Sequence, residues 1–207
     1  MSRFQVKKVA VLGAGVMGAQ IAAHLVNVRV PVVLFDLAAK EGPKNGIVSR
    51  AIDNLKKLKP APLGDVADAV LIEQANYEDD LAKLGECDLI IEAIAERMDW
   101  KLDLYKKIAP HVSKHSILAS NTSGLSITKL SEALPEALKP RFCGIHFFNP
   151  PRYMFLVELI DTPTPSRRCS TSSKPSSPAR SARAWCAPMT RPTSSPTASA
   201  SPACWRR

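Results

Sequence analysis

Three closely spaced glycines that directly follow a short apolar run most constrain how this chain can fold. The segment connects a predicted strand at residues 6–12 to a predicted helix at residues 16–26 and includes the first turn of that helix. In order, it contains Gly13, Ala14, Gly15, Val16, Met17 and Gly18. Gly13 permits a tight turn, Gly15 lets the backbone approach a ligand, and Gly18 lets the helix pack against the strand. The free N–H groups at the start of such a helix favour a pyrophosphate.

An acidic residue ends the next predicted strand. Asp36 follows the apolar run at residues 30–35 and lies 21 positions after Gly15. A carboxylate there accepts hydrogen bonds from both ribose hydroxyls of a dinucleotide and repels a 2′-phosphate. Because Leu37 and two alanines follow, with no arginine, the sequence predicts NAD binding and not NADP binding. The alternative is a structural glycine turn with a capping aspartate.

Short β-branched runs alternate with longer amphipathic runs through the first 160 residues. This alternation predicts a Rossmann-type α/β fold with a doubly wound, mostly parallel sheet. The predicted strands cover residues 6–12, 30–35, 89–94, 116–119, 142–147 and 154–160, and the predicted helices cover residues 16–26, 46–58 and 98–108.

The positive charge of the chain is concentrated at its end. The formal net charge is +9, of which residues 1–162 contribute +1 and residues 163–207 contribute +8. A nearly neutral body argues against nucleic-acid binding. No run reaches the roughly 18 apolar residues of a membrane-spanning helix. Cys87 and Cys143 lack the spacing of a metal site, so we expect a reduced, cytoplasmic protein without a bound metal.

Three further signatures occur along the body. They are Ile91-Glu-Ala-Ile-Ala-Glu96, Ser120-Asn-Thr-Ser123 and His146-Phe-Phe-Asn-Pro150, and Glu158 follows His146 by 12 residues. With these motifs, residues 5–162 resemble the 3-hydroxyacyl-CoA dehydrogenase family. The segments at residues 59–63 and 150–154 resemble most the version found in large bacterial β-oxidation proteins, where the dehydrogenase is fused to an enoyl-CoA hydratase. The resemblance implies NAD-dependent oxidation of (3S)-3-hydroxyacyl-CoA to 3-ketoacyl-CoA in fatty-acid β-oxidation.

The resemblance also assigns roles to individual residues. His146 would take the proton of the 3-hydroxyl, Glu158 would orient the imidazole, and Ser123 would hydrogen-bond the reacting oxygen. Asn149 and Glu92 would lie on the cofactor side. The alternative interpretation of His146 and Glu158 is a core histidine and a solvated glutamate. For Ser123, Asn149 and Glu92, the alternative is a polar cap at the end of a strand.

Polar residues on the second predicted helix suggest where the acyl-CoA substrate binds. In the family this helix faces coenzyme A, and here it carries or precedes Asn54, Lys56, Lys57 and Lys59. Lysines suit phosphates, although a solvated helix face is an equally open interpretation. In the family, dimerisation uses a C-terminal helical domain, which this sequence lacks. A non-catalytic NAD-binding domain is the alternative function.

Residues 163–207 depart from the family. The segment is rich in Ser, Pro and Arg, contains no acidic residue and shows no apolar periodicity, so the composition predicts a disordered tail. Read one nucleotide out of frame with G/C-rich codons, residues 169–177 and 180–203 can encode the continuation that the family would have. We therefore expect a frameshift near residues 165–167 that leaves the NAD-binding domain at residues 1–162 incomplete, and the encoding DNA tests this.

Overall fold

The computed structural model describes residues 6–162 and the two residues Arg183–Ala184. The strands are β1 (Val9–Leu12), β2 (Val32–Asp36), β3 (Ile72–Asn76), β4 (Leu89–Glu92), β5 (Ile117–Ser120), β6 (Phe142–Phe147), β7 (Val157–Ile160) and β8 (Arg183–Ala184). The α-helices are α1 (Val16–Asn27), α2 (Gly46–Leu55), α3 (Met98–Ile108) and α4 (Ile127–Glu132). Short 3-10 helices cover Val66–Leu71, Leu81–Glu86, Ala109–His111 and Lys139–Arg141.

The strands form one sheet in the order β3-β2-β1-β4-β5-β6-β7-β8. All pairs from β3 to β6 are parallel, whereas β7 runs antiparallel to β6 and β8 antiparallel to β7. The chain reverses its direction across the sheet between β1 and β4, and ligands of such sheets bind in the crevice at the carboxyl ends of those strands. The prediction of a Rossmann-type, mostly parallel sheet is confirmed.

The core lies on both faces of the sheet because the central strand is apolar throughout. Val9 and Val11 pack on the side of α1 and α2, whereas Ala10 and Leu12 pack on the side of α3 and α4. All four of these side chains are buried. A strand covered on both faces is the reason that the sequence of β1 reads as a continuous apolar run.

Some elements differ from the sequence-based expectations. The strand β3 and the helix α4 were not predicted, since β3 has polar residues at its centre and α4 has only six residues. The second helix ends at Leu55 and not at residue 58. Leu55 lies four residues before Lys59, whose position ahead of a proline disfavours helical backbone. The first strand begins at Val9 and the last of the body begins at Val157.

The predicted disordered tail lies outside the described residues except at Arg183–Ala184. Those two residues form β8, which pairs with β7. Within the described part of the chain, no helix is long and apolar enough to cross a membrane.

Candidate functional site

The glycine turn after β1 is shaped by backbone geometry at two positions. Gly13 has φ +103°, which side-chain-bearing residues rarely adopt. At Gly18 an added Cβ would lie 1.8 Å from the carbonyl oxygen of Gly13, whereas at Gly15 it would meet no atom within 4 Å. The turn therefore requires Gly13 and Gly18 for its own packing and leaves Gly15 open toward solvent.

The start of α1 is free to bind an anion. Gly15 precedes the helix without a capping side chain, and the first helical turn contains no acidic residue. The first main-chain bond of the helix joins Ala19 N to Gly15 O, so the N–H groups of Val16, Met17 and Gly18 have no helical acceptor. The helix dipole adds partial positive charge at the same place.

Asp36 lies at the carboxyl end of β2 beside this turn. Its Oδ2 accepts a hydrogen bond of 2.6 Å from Ala14 N, and its Oδ1 accepts one of 2.7 Å from Leu37 N. The carboxylate is thus fixed next to the glycine turn, where a ribose that follows a bound pyrophosphate would lie. The open Gly15, the uncapped helix start and Asp36 together fit an NAD molecule.

A cleft of about 650 Å³ separates α1 from α2. Gly15, Val16, Asn54 and Lys57 contribute to its lining, as does Arg50, which the sequence analysis missed. Arg50 follows no recognisable motif, and only the approach of α2 to α1 shows that it borders the cleft. Lys56 does not line this cleft; its ammonium pairs with Asp53 at 2.8 Å on the exposed side of α2.

Three predicted catalytic residues form a continuous chain of polar contacts. Ser123 Oγ lies 3.0 Å from His146 Nε2, and His146 Nδ1 lies 3.0 Å from Glu158 Oε2. The antiparallel pairing of β6 with β7 places His146 directly opposite Glu158. An imidazole whose Nδ1–H donates to a carboxylate keeps Nε2 free to accept a proton, so this arrangement suits general base chemistry.

The loop that carries Ser123 is held by Glu96. Glu96 Oε1 accepts a 2.7 Å hydrogen bond from Ser123 N, and Oε2 accepts one of 2.6 Å from the Thr122 hydroxyl. Burial raises the pKa of Glu96, but these hydrogen bonds and the nearby Lys101 ammonium outweigh it and lower the pKa overall. Glu96 was not predicted as a site residue, although it ends the Ile91–Glu96 signature.

Glu92, which was expected on the cofactor side, is inside the protein. Its side chain is 0% exposed, and its carboxylate contacts the side chains of Lys101, Tyr105 and Ser120 and the main-chain N–H of Ile94. No surface of Glu92 is therefore open to a cofactor in this structure. The expectation is corrected because the parallel register points this residue of β4 into the core beneath the site.

The segment after β6 is tied to two other parts of the domain. Asn149 Oδ1 accepts a 3.2 Å hydrogen bond from Gln20 Nε2 on α1. The Arg152 guanidinium donates to the carbonyl oxygens of Ala61 and Leu63, and the Tyr153 hydroxyl donates to Ala61 O at 2.9 Å. The two segments that resembled large β-oxidation proteins thus contact each other.

The doubly wound sheet, the glycine turn and the Ser–His–Glu chain define an NAD-binding domain of an oxidoreductase. The family described as "3-hydroxyacyl-CoA dehydrogenase, NAD binding domain" matches residues 8–174. The chain belongs to this family, and NAD is the cofactor of the domain.

Known proteins of the same family resemble the chain over most of its length. It is 45% identical over 159 residues to a protein of Deinococcus radiodurans named "Probable 3-hydroxyacyl-CoA dehydrogenase". The aligned region covers 76% of this chain and 46% of that relative. It is 37% identical over 170 residues to the Homo sapiens "Hydroxyacyl-coenzyme A dehydrogenase, mitochondrial", covering 79% of this chain and 53% of the relative.

A solved structure shows the same fold. The (S)-3-hydroxybutyryl-CoA dehydrogenase of Ralstonia eutropha superposes with a TM-score of 0.62 at 35% identity, over 80% of this chain and 57% of that chain. The chain spans between about a fifth and about half of the length of the curated relatives that it matches.

Proposed function

We propose that this domain oxidises the 3-hydroxyl of a (3S)-3-hydroxyacyl-CoA to the 3-ketone, with NAD as the oxidant. The observation that carries the proposal is the Ser123–His146–Glu158 chain, with both contacts at 3.0 Å. These three side chains lie at the end of the sheet where the glycine turn and Asp36 provide a dinucleotide site. The names of the Deinococcus radiodurans and Ralstonia eutropha proteins support the substrate class.

His146 and its two neighbours perform the proton transfer in this proposal. The Nε2 atom of His146 accepts the proton of the substrate hydroxyl, and the Glu158 carboxylate stabilises the imidazolium that forms. The Ser123 hydroxyl, which faces Nε2, hydrogen-bonds the reacting oxygen and orients it. When bound, NAD supplies the acceptor for the hydride that leaves the same carbon.

Separate groups hold the cofactor and the substrate. The N–H groups of Val16, Met17 and Gly18 bind the pyrophosphate, and Asp36 binds the ribose hydroxyls. Asn149, fixed by Gln20, faces the nicotinamide side. Arg50 and Asn54 of α2 and Lys57 just after it border the cleft and offer donors for coenzyme A phosphates.

The domain boundary is part of this proposal. We assign residues 1–162 to the NAD-binding domain and regard residues 163–207, apart from Arg183–Ala184 of β8, as lying outside it. Exclusion of water and positioning of an acyl-CoA need surfaces on both sides of the reacting atoms. NAD binding without turnover is the second candidate function, favoured by the match of residues 8–174 to a family described as an NAD-binding domain.

Two measurements on the same preparation test the proposal. Titration with NADH, followed by its fluorescence, reports cofactor binding, and the consumption of NADH with acetoacetyl-CoA reports the reverse reaction. We expect binding together with turnover, and we expect His146→Gln to abolish turnover while NADH binding changes less than about twofold. The control is His115→Gln, which replaces an exposed histidine. Binding without turnover would support the second candidate, and absence of NADH binding would contradict both.

A further inference from the structure

A fully buried ion pair lies directly beneath the Ser123 loop. Lys101 Nζ of α3 lies 2.6 Å from Glu92 Oε1 at the end of β4, and their side chains are 1% and 0% exposed. Glu92 also accepts hydrogen bonds of 2.7 Å from both Tyr105 Oη and Ser120 Oγ. The carboxylate is thus fully satisfied and fixed in one orientation.

A buried ion pair is weak evidence for a stabilising role. Removing two charges from water offsets much of their mutual attraction, and replacement by an apolar pair of similar size is often neutral or stabilising. The position of the pair suggests another purpose. Lys101 Nζ also lies 4.0 Å from Glu96 Oε2, and Glu96 is half exposed at the site.

Glu96 transmits this contact to the reacting residues. Its carboxylate accepts hydrogen bonds from Ser123 N at 2.7 Å and from the Thr122 hydroxyl at 2.6 Å. The same Thr122 oxygen accepts a 3.0 Å hydrogen bond from Leu125 N, which closes the loop behind Ser123. Ser123 Oγ then contacts His146 Nε2 at 3.0 Å.

We propose that Glu92 and Lys101 are positioning residues that, through Glu96, hold the Ser123 hydroxyl against His146. Glu92 orients the Lys101 ammonium, and the ammonium keeps Glu96 ionised and in place as the acceptor for the loop. The proposal rests on the proposed function, because it assigns Ser123 and His146 as the reacting pair. It is tested without substrate or cofactor, so its failure and a lack of turnover are distinguishable.

The pH dependence of the loop follows from the charges around Glu96. Lys101 and Tyr105 of α3 face it, as do the Thr122 hydroxyl and the main-chain N–H groups of Ser123 and Gly124, and His146 lies beyond Ser123. Loss of the Lys101 charge raises the pKa of Glu96, because a nearby cation favours the carboxylate. Protonation then removes the charge-assisted acceptor of Ser123 N at a higher pH than in the unaltered chain.

Amide hydrogen exchange of the full-length chain, measured by NMR across the acidic pH range, tests the proposal. The informative variant is the double substitution Glu92→Gln/Lys101→Met, which removes both charges and leaves no unpaired buried ion. We expect Ser123 N–H to exchange at least about tenfold faster relative to Val11 N–H of the core, whereas a general loss of stability would accelerate the core amide at least as much and would not raise this ratio. The pH at which Ser123 loses its protection should also rise.

Matched variants separate positioning from a general structural effect. Glu86→Gln/Lys8→Met removes the 2.8 Å ion pair of Lys8 with Glu86, and with it the 3.3 Å contact of Lys8 with Glu73, and should leave Ser123 unchanged. Lys101→Arg keeps the positive charge at this position and should retain most of the protection of Ser123 N–H. Repeating the titration with His146→Gln removes the contribution of that imidazole.

The half-exposed Glu96 provides a variant that does not disturb the core, should the double variant fail to fold. In Glu96→Gln, the protection of Ser123 N–H relative to its intrinsic exchange rate should no longer depend on pH. The proposal is overturned if this protection and its pH profile are unchanged in the double variant, or if the pH dependence of the protection persists in Glu96→Gln.

Discussion

At the scale of single residues, two glutamates of one signature have different surroundings. Glu92 and Glu96 are four positions apart, yet Glu92 is wholly buried and Glu96 reaches the loop of Ser123. A third glutamate, Glu158 of β7, contacts His146 of β6 directly. The Glu158 carboxylate is partly exposed, so a conservative substitution there should disturb the core little. Such a substitution can therefore test the role of Glu158 in orienting the imidazole.

Replacing Glu158 by Gln keeps the shape of the side chain and removes its charge. We expect kcat for acetoacetyl-CoA reduction to fall about 100-fold, because the imidazolium loses its counter-charge and the imidazole its orienting carboxylate. NADH affinity should remain within about twofold. The control is Glu132→Gln, which alters an exposed carboxylate on α4. Equal rates for Glu158→Gln and the control would contradict the proposed role.

At the scale of elements, the junction of β1 and α1 determines both packing and ligand access. Gly18 allows the helix to approach the turn, and Gly15 leaves space above it. The two positions have the same residue type and lie three positions apart. Their surroundings nevertheless predict opposite consequences for the same substitution.

In Gly18→Ala, the new Cβ would lie 1.8 Å from the Gly13 carbonyl oxygen, a main-chain atom that cannot rotate away. The helix must shift, and we expect the free energy of unfolding to fall by about 3 kcal/mol or more. In Gly15→Ala, which meets no atom within 4 Å, stability should be retained while NADH affinity falls at least about tenfold. Thermal unfolding and NADH fluorescence measure the two effects, and a stable Gly18→Ala would contradict this account of the turn.

At the scale of the whole molecule, α1 also carries a group that links stability to pH. The Nδ1 atom of His24 is buried and has no hydrogen-bond partner among the residues that the structure describes, and Arg152 lies near the ring. Burial first, and then the Arg152 charge, lower the pKa of His24 below its ordinary value. The unfolded chain therefore binds this proton more readily than the folded chain.

This linkage predicts a loss of stability in mild acid. The contribution of neutral His24 is fully present above the unfolded pKa of about 6.5 and is lost progressively as the pH falls below it. We expect His24→Gln to reduce the decrease in Tm between about pH 7 and about pH 5. The exposed His115→Gln should not, and identical pH profiles for all three chains would contradict the prediction.

Much of the fold could be predicted because its signals are local. The glycine turn directly follows the apolar run of β1, and a second apolar run marks β2. Periodicity alone indicates α1 and α3. The strand β3 could not be predicted, since its central Glu73 and Gln74 break the apolar run at the edge of the sheet. The Arg152 contacts with residues 61 and 63 were equally inaccessible, because they join segments about 90 positions apart.

The sequence by itself determined the glycine turn and the position of Asp36, since each depends on short spacings and a single turn, and the family resemblance indicated the pairing of His146 with Glu158. Only the tertiary structure decided that Glu92 faces the core, that Glu96 reaches Ser123 and that Arg50 borders the cleft. The direction in which a strand-end side chain points depends on the register of both neighbouring strands and on the helix packed above it. Those contacts come from distant parts of the chain, so no local pattern encodes them.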